Sequence, residues 1–297
     1  MNVDETKAVM LDRVLSEYEE ELRRSGDETA AVTLAYTHSL HRPWRTALRM
    51  LPVPANWSVL DAGCGLGILD FELAANLPLQ IIGVDIEPGF VGHAVKLRQR
   101  LAALGLFTNG SSLRFEVSDI RALSFTDEAF DLVFVRELLQ FLPDPLEAVR
   151  ELFRVLRPGA YLCISDTDDQ LRITWPPASD AFERLVAAVA TVQHERGGDR
   201  QTGRKLTMYL RTAGFEIASV VVLPEAQHRL VDPSDAEQTL VVEQLHAARE
   251  RVVSAGAMHP DRFDADLATV EHREPFEEFR MNARIIVLGQ RPQNPDP

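Results

Sequence analysis

The stretch Val59-Leu60-Asp61-Ala62-Gly63-Cys64-Gly65-Leu66-Gly67 constrains this chain more than any other. An apolar pair runs into an acid, glycine then takes every second position, and an amphipathic run follows. Such a pattern is that of a buried strand turning sharply into a helix. Glycine adopts positive φ without penalty and lets a ligand approach the backbone. The N–H groups of the turn and of the helix start then face whatever lies above the strand end. The dinucleotide fingerprint needs G-x-G-x-x-G, and the chain lacks it: the sixth position from Gly63 is Ile68, and from Gly65 it is Asp70. An acid at Asp61 suits a cationic ligand group better than a pyrophosphate.

Further strand–helix units follow in order. Leu69, Leu73 and Leu77 stripe the first core helix, and Gln80 to Asp85 reads as a buried parallel strand ending in an acid. Pro88 opens a helix with Val91, Ala94, Leu97, Leu101 and Leu104 facing inward. Leu113, Phe115 and Val117 alternate as a third strand, followed by Ser118-Asp119-Ile120. Phe130 to Val135 is the fourth strand and leads into Arg136-Glu137. Leu146, Val149, Leu152, Phe153 and Leu156 line a helix that stops at Arg157-Pro158-Gly159, and Ala160 to Ser165 is the fifth strand. Glu216 to Leu223 and Ala283 to Leu288 are the expected sixth and seventh.

This order resembles the class I S-adenosylmethionine-dependent methyltransferases, from about residue 55 to 223 and more weakly in the last strand. The resemblance rests on the Asp61–Gly67 turn, on Asp85, on Asp119, and on the block from Phe130-Asp131 to Pro158-Gly159. It implies an α/β fold: a Rossmann-like, seven-stranded, mostly parallel sheet with helices on both faces and an antiparallel last strand. It implies S-adenosyl-L-methionine as cofactor, held by Asp61, Gly63, Gly65 and Gly67. Asp85 would take the ribose hydroxyls and Ile86 the adenine face. Asp119 would take the adenine amino group, and the backbone of Ile120 the ring. Arg136 is a candidate for the methionine carboxylate, or for ordering its loop. Many relatives place histidine where Gln140 and Phe141 stand; this chain has none there.

In an open α/β sheet, ligands gather at the carboxyl ends of the strands. Asp166 and Asp168, at the end of the fifth strand, are therefore the first candidates to bind an acceptor or take its proton. His38 or His41 come next, then Glu137, with His228 after the sixth strand as a further candidate. The clustered acids lack the spacing of a hard-cation loop, so no metal is expected.

Helical periodicity fills residues 4–24, a second run opens at Asp27, and Pro43 is expected to start a third, bearing Trp44. The expected organisation is a helical cap over 1–51, a methyltransferase domain over 52–291 with a helical insert at 233–280, and a loose tail at 292–297. The insert carries Val241, Leu245, Ala248 and Val252, then Phe263, Leu267 and Val270. A lid over the acceptor is the first reading of it, and a homodimer contact the second.

The net charge of −14 repels phosphate backbones, which argues against nucleic acid as a partner. The two cysteines, Cys64 and Cys163, form no disulfide framework, and no run is long enough to span a membrane. A cytoplasmic methyltransferase acting at O, N or C of a small, neutral or partly apolar molecule is the leading expectation. A non-methylating binder of the same cofactor is the alternative, with a nicotinamide-dependent oxidoreductase far behind.

Overall fold

The computed structural model describes residues 5–48, 53–232 and 235–293, with the side chains of 39–48 and 236 left aside. Five strands lie parallel: β1 (Ser58–Ala62), β2 (Gln80–Asp85), β3 (Ser112–Val117), β4 (Phe130–Arg136) and β5 (Leu156–Thr167). Two long strands, β7 (Glu216–Val231) and β8 (Phe276–Gln290), complete the sheet, with the short β6 (Ile173–Trp175) paired to β8. The spatial order is β3-β2-β1-β4-β5-β8-β7, and β8 runs antiparallel to both neighbours. The eighth strand, β6, was not expected from the sequence. It is only three residues long and continues the edge of β8 just beyond the end of β5.

Side-chain alternation decides which face each strand residue serves. Val59, Ile81, Leu132 and Phe134 point to one face, while Leu60, Val133, Val135 and Ile164 point to the other. The first face is covered by α3 (Ile68–Asn76) and α4 (Pro88–Ala103), and over these lie α1 (Glu5–Ser25) and α2 (Glu28–Leu48). Leu11, Leu15 and Leu34 from that outer pair join Leu69, Leu73, Leu97 and Leu101 in a single core. Because α3 is sandwiched, every residue from Ile68 to Ala75 is buried, not just one stripe. The second face is covered by α5 (Pro145–Val155) and α7 (Leu206–Ala213). Asp144 caps α5 through the amide of Leu146, with Pro145 in its first turn.

A third core lies off the sheet. It joins α6 (Asp180–Glu195), α8 (Ala236–Ser254) and α9 (Pro260–Glu271) through Leu185, Val192, Leu245, Val252, Phe263 and Leu267. The apolar stripes expected of the insert are the ones buried here. Ser179 and Asp235 cap α6 and α8.

Besides β6, the helix α2 and the strands β7 and β8 differ from the sequence expectation. The runs starting at Asp27 and Pro43 form one helix, α2, with Asp27 capping it through the amide of Ala30. Pro43 lies inside the helix rather than at its start. The strands β7 and β8 extend well past the apolar segments that revealed them. Their pairing runs from Glu216↔Gln290 to Val231↔Phe276, whereas β5 stops pairing at Thr167↔Arg284. Beyond that point the two strands run on as a ribbon whose β8 edge is met only by the short β6 among the described residues. Its residues alternate between charged and mixed, so no apolar run marks it in the sequence.

Among the described residues, no helix is long and apolar enough to cross a membrane, and no group of three or more His, Cys, Asp and Glu is arranged to hold a metal ion. Arg291 is tied down: its guanidinium donates to the carbonyls of Phe153 and Leu156 and to Glu128.

Candidate functional site

The carboxyl ends of β1, β2 and β3 carry one group of candidates. Asp61 is fully buried at the tip of β1. The turn after it is built by backbone bonds: the amides of Gly63 and Cys64 donate to the carbonyl of Val84, at 2.8 and 2.9 Å. Gly63, Gly65 and Gly67 all have positive φ, at 83°, 54° and 82°. Their surroundings differ. A Cβ on Gly63 would lie 2.5 Å from Leu138 Cδ2 and one on Gly67 2.6 Å from Phe115 Cζ, whereas one on Gly65 meets nothing within 4 Å. The turn is therefore packed from behind at two glycines and open above the third.

Asp85 links the turn to the second strand. One oxygen accepts from the amide of Gly65 at 2.8 Å and the other from that of Glu87 at 2.9 Å. Each oxygen has lone-pair capacity left for a hydroxyl. Ile86 beside it is 62% exposed, an apolar surface left open by the described residues. Asp119 is held by Arg121, with the guanidinium at 2.6 Å, and that pairing keeps its carboxyl below the usual range. Ile120 packs its side chain into the second core. Arg136, at the end of β4, brings Nη2 to 3.6 Å from Asp61. A buried acid, an acid among backbone amides, an exposed aliphatic face and an open glycine suit the cofactor implied above. They offer partners for an ammonium, a ribose diol and a purine.

One acid here was missed in the sequence reading. Asp70, in the first turn of α3, is fully buried beside Asp61. Neither oxygen of either carboxyl finds a hydrogen-bond donor among the described residues. Burial raises both carboxyls above their ordinary range. Asp85 adds to the rise of Asp61 and Arg136 opposes it, while Asp61 adds to the rise of Asp70.

A chamber of about 1240 Å³ lies on the other side of β4 and β5. It is walled by α2, the third core and one face of the β7–β8 ribbon. Glu225, Gln227 and Arg229 on β7, with Glu278, Arg280 and Arg284 on β8, all point into it, as the two-residue period of a strand requires. Arg284 lies 3.3 Å from Glu137 and 2.9 Å from Glu225, and Arg280 pairs with Glu237. Burial and the neighbouring Arg229 push Arg280 down to about 10. Tyr36 keeps 38% of its surface open because it faces the chamber. Enclosure and the nearby Glu137 push its hydroxyl up to about 12.

Glu137 follows Arg136 and sits in the left-handed region, with φ 52°. For a residue with a side chain this conformation is strained, and such strain gathers at functional sites. Its amide donates to the carbonyl of Ser165. Ser165 and Gln140 approach its carboxylate at 3.5 and 3.4 Å. Burial raises Glu137, with Arg284 and Arg136 opposing.

Asp166 is buried behind the chamber wall and accepts from the amides of Thr167 and Gln140, at 2.9 and 3.1 Å. Asp168 is 3% exposed at the wall, accepting from Nε and Nη2 of Arg204 and from the amide of Gln170. His38 borders the chamber, with Nε2 3.0 Å from Asp12. The side chains of His41, Arg42 and Trp44 lie outside the described residues. His228 is on the opposite face of the ribbon from Gln227 and Arg229, 3.8 Å from Glu277.

Asp166 carries a pH prediction. Burial, then Glu137, push it up to about 8, against about 3.9 for a free side chain. Between those values the native state holds more protons than the unfolded one, so stability falls as pH rises. Urea midpoints for the ligand-free protein should drop from pH 5 to pH 8, and Asp166→Asn should flatten that drop. Equal slopes in both proteins would count against it.

Residues 60–164 match the family described as a methyltransferase domain. Over 167 residues the chain is 29% identical to phosphoethanolamine N-methyltransferase 3 of Arabidopsis thaliana, covering 56% of this chain and 30% of that protein. It thus spans less than a third of that relative's length. Over 220 residues it is 27% identical to trans-aconitate 2-methyltransferase of Variovorax paradoxus, covering 73% and 77%. Among solved structures, the [4+2]-cyclase SpnF superposes with a TM-score of 0.52 at 20% identity, over 89% of this chain and 82% of that one. That likeness concerns the fold alone, and a fold does not fix its chemistry. The methyltransferase-domain match over residues 60–164 and the methyltransferase relatives, together with the strand order and the glycine turn, support the resemblance to the class I S-adenosylmethionine-dependent methyltransferases.

Proposed function

We propose that the protein transfers a methyl group from S-adenosylmethionine to a small polar molecule bound in the chamber. The observation that carries this reading is the adjacency of Arg136 and Glu137. The first reaches Asp61 in the glycine-turn crevice, and the second borders the chamber. Two binding spaces therefore meet at one strand end. A chamber lined by paired arginines and acids favours an acceptor with polar or charged groups over an apolar one. The relatives named for phosphoethanolamine and trans-aconitate fit that preference. The acidic surface and the enclosed walls argue against a nucleic acid.

In this reading Asp61 holds the ammonium of the cofactor, Asp85 its ribose, and Ile86, Asp119 and Ile120 its adenine. The cofactor supplies a methyl carbon made electrophilic by its sulfonium. The protein's task is then to hold the acceptor in line and exclude water. Glu137 is the carboxylate best situated to orient the acceptor or take its proton, with Arg284 fixing its direction. His38 is a second group facing the chamber. Asp166 and Asp168 shape the wall, since backbone amides and Arg204 occupy their oxygens.

The test is labelled S-adenosylmethionine with panels of small amines, carboxylic acids, phosphomonoesters and phenols. Label should pass to at least one of them. Glu137→Gln should lower turnover by about 10²–10⁴-fold, the range for loss of a positioned acid or base, while S-adenosylhomocysteine still binds. Binding without transfer to any panel member would favour a protein that holds the cofactor and methylates nothing.

A further inference from the structure

Asp61 and Asp70 set a problem that cofactor binding, as proposed above, would resolve. Both are fully buried, one at the tip of β1 and the other in the first turn of α3. Their carboxyls face each other, and no well-formed hydrogen bond from the described residues completes any of the four oxygens, the Arg136 guanidinium standing off at 3.6 Å from Asp61. Two ionised carboxylates cannot stay in such a place, because each lacks solvent and repels the other. The charged and titratable groups facing them are few. Arg136 comes from β4, at 3.6 Å from Asp61; Asp85 comes from β2; the buried thiol of Cys64 comes from the turn. One guanidinium balances one carboxylate, which leaves the second carboxyl to be neutral.

We infer that Asp61 and Asp70 share one proton in the ligand-free protein, and that together they form a two-carboxyl cradle for the ammonium of the cofactor, which displaces that proton to solvent. The ammonium brings a positive charge and three N–H donors to carboxyl oxygens whose hydrogen bonds are incomplete. It can serve both carboxylates once the proton has left. Burial raises both carboxyls and each raises the other, so the proton belongs to the pair. The inference rests on the cofactor reading and adds to it a residue, Asp70, and a proton count.

Two consequences are measurable with S-adenosylhomocysteine, which carries the same ammonium. Calorimetric titrations at pH 7 in buffers of different ionisation enthalpy should report release of about one proton per molecule bound. Affinity should rise with pH, by up to about tenfold per pH unit over the range in which one proton is released. In Asp70→Asn the proton release and the pH slope should both vanish. In Asp85→Asn affinity should fall while the slope stays. Infrared difference spectra of the unmutated protein, with and without the ligand, should show loss of one protonated-carboxyl stretch, which makes the test independent of whether the variants fold. Absence of any binding would overturn both the cofactor reading and the cradle. Binding with a flat pH profile and no carboxyl band would overturn the cradle alone. A slope that survives in Asp70→Asn would remove Asp70 from it.

Discussion

Replacing Asp85 by alanine is expected to raise the dissociation constant for S-adenosylhomocysteine by about 10²–10⁴-fold. The estimate follows from hydrogen bonds to a charged group, each worth about 1.5–3 kcal/mol, with about 1.4 kcal/mol per tenfold change. In the proposed site two ribose hydroxyls donate to this carboxylate. The same carboxylate already accepts from Gly65 and Glu87, so it also sets the height of the glycine turn beneath the ligand. Alanine removes both functions. Asp85 is only half-buried, and the two amides it releases sit at the rim of the crevice where water can reach them. The loss should therefore fall on affinity more than on folding. Calorimetry and a thermal melt on the same sample separate the two. A folded variant that binds as tightly as the original would exclude Asp85 from the ligand.

The cofactor side was legible because its chemistry is local in sequence. Alternate glycines after a buried strand admit few conformations, and an acid at the next strand end needs only that strand to be placed. Asp70 escaped notice for an equally local reason. An acid in the first turn of a helix reads as a dipole partner on a solvated face. That reading fails here because α1 and α2 cover α3 and bury it all round. The stripe Leu69–Leu73–Leu77 described one face of a helix that has no exposed one.

The acceptor side was less legible because distant segments build it. Tyr36, Glu137 and Arg284 come from α2, the end of β4 and the middle of β8, and no spacing within any one segment points to the others. The strand-end rule put Asp166 and Asp168 beside the chamber, but where their carboxylates turn depends on the loop at Gln140 and on Arg204. The ribbon did leave a trace. Glu225, Gln227 and Arg229 keep a period of two, as do Glu278 and Arg280 with Arg284. Reading strands only from apolar residues ended β7 at Leu223 and began the last strand at Ala283, which cut off the half that faces the chamber.

The glycines of the turn give the second large effect, and they divide it. Gly67→Ala should destabilise the protein by about 2–5 kcal/mol. Of this, about 1–2 kcal/mol is the left-handed backbone forced on an alanine, and about 1–3 kcal/mol is overpacking. Its Cβ would come 2.6 Å from Phe115 and 3.1 Å from Phe71. Those rings are locked edge to face, 5.7 Å apart, in the first core, so neither can step aside cheaply. Gly65→Ala carries similar backbone strain but meets no atom within 4 Å. It should therefore cost about 1–2 kcal/mol in stability. Its methyl group, however, enters the space above the turn, and S-adenosylhomocysteine binding should weaken well beyond what that strain explains. Urea midpoints and calorimetric affinities for the two variants test the division. If Gly65→Ala bound the ligand as well as the original, the opening over the glycine turn would not be where the cofactor lies.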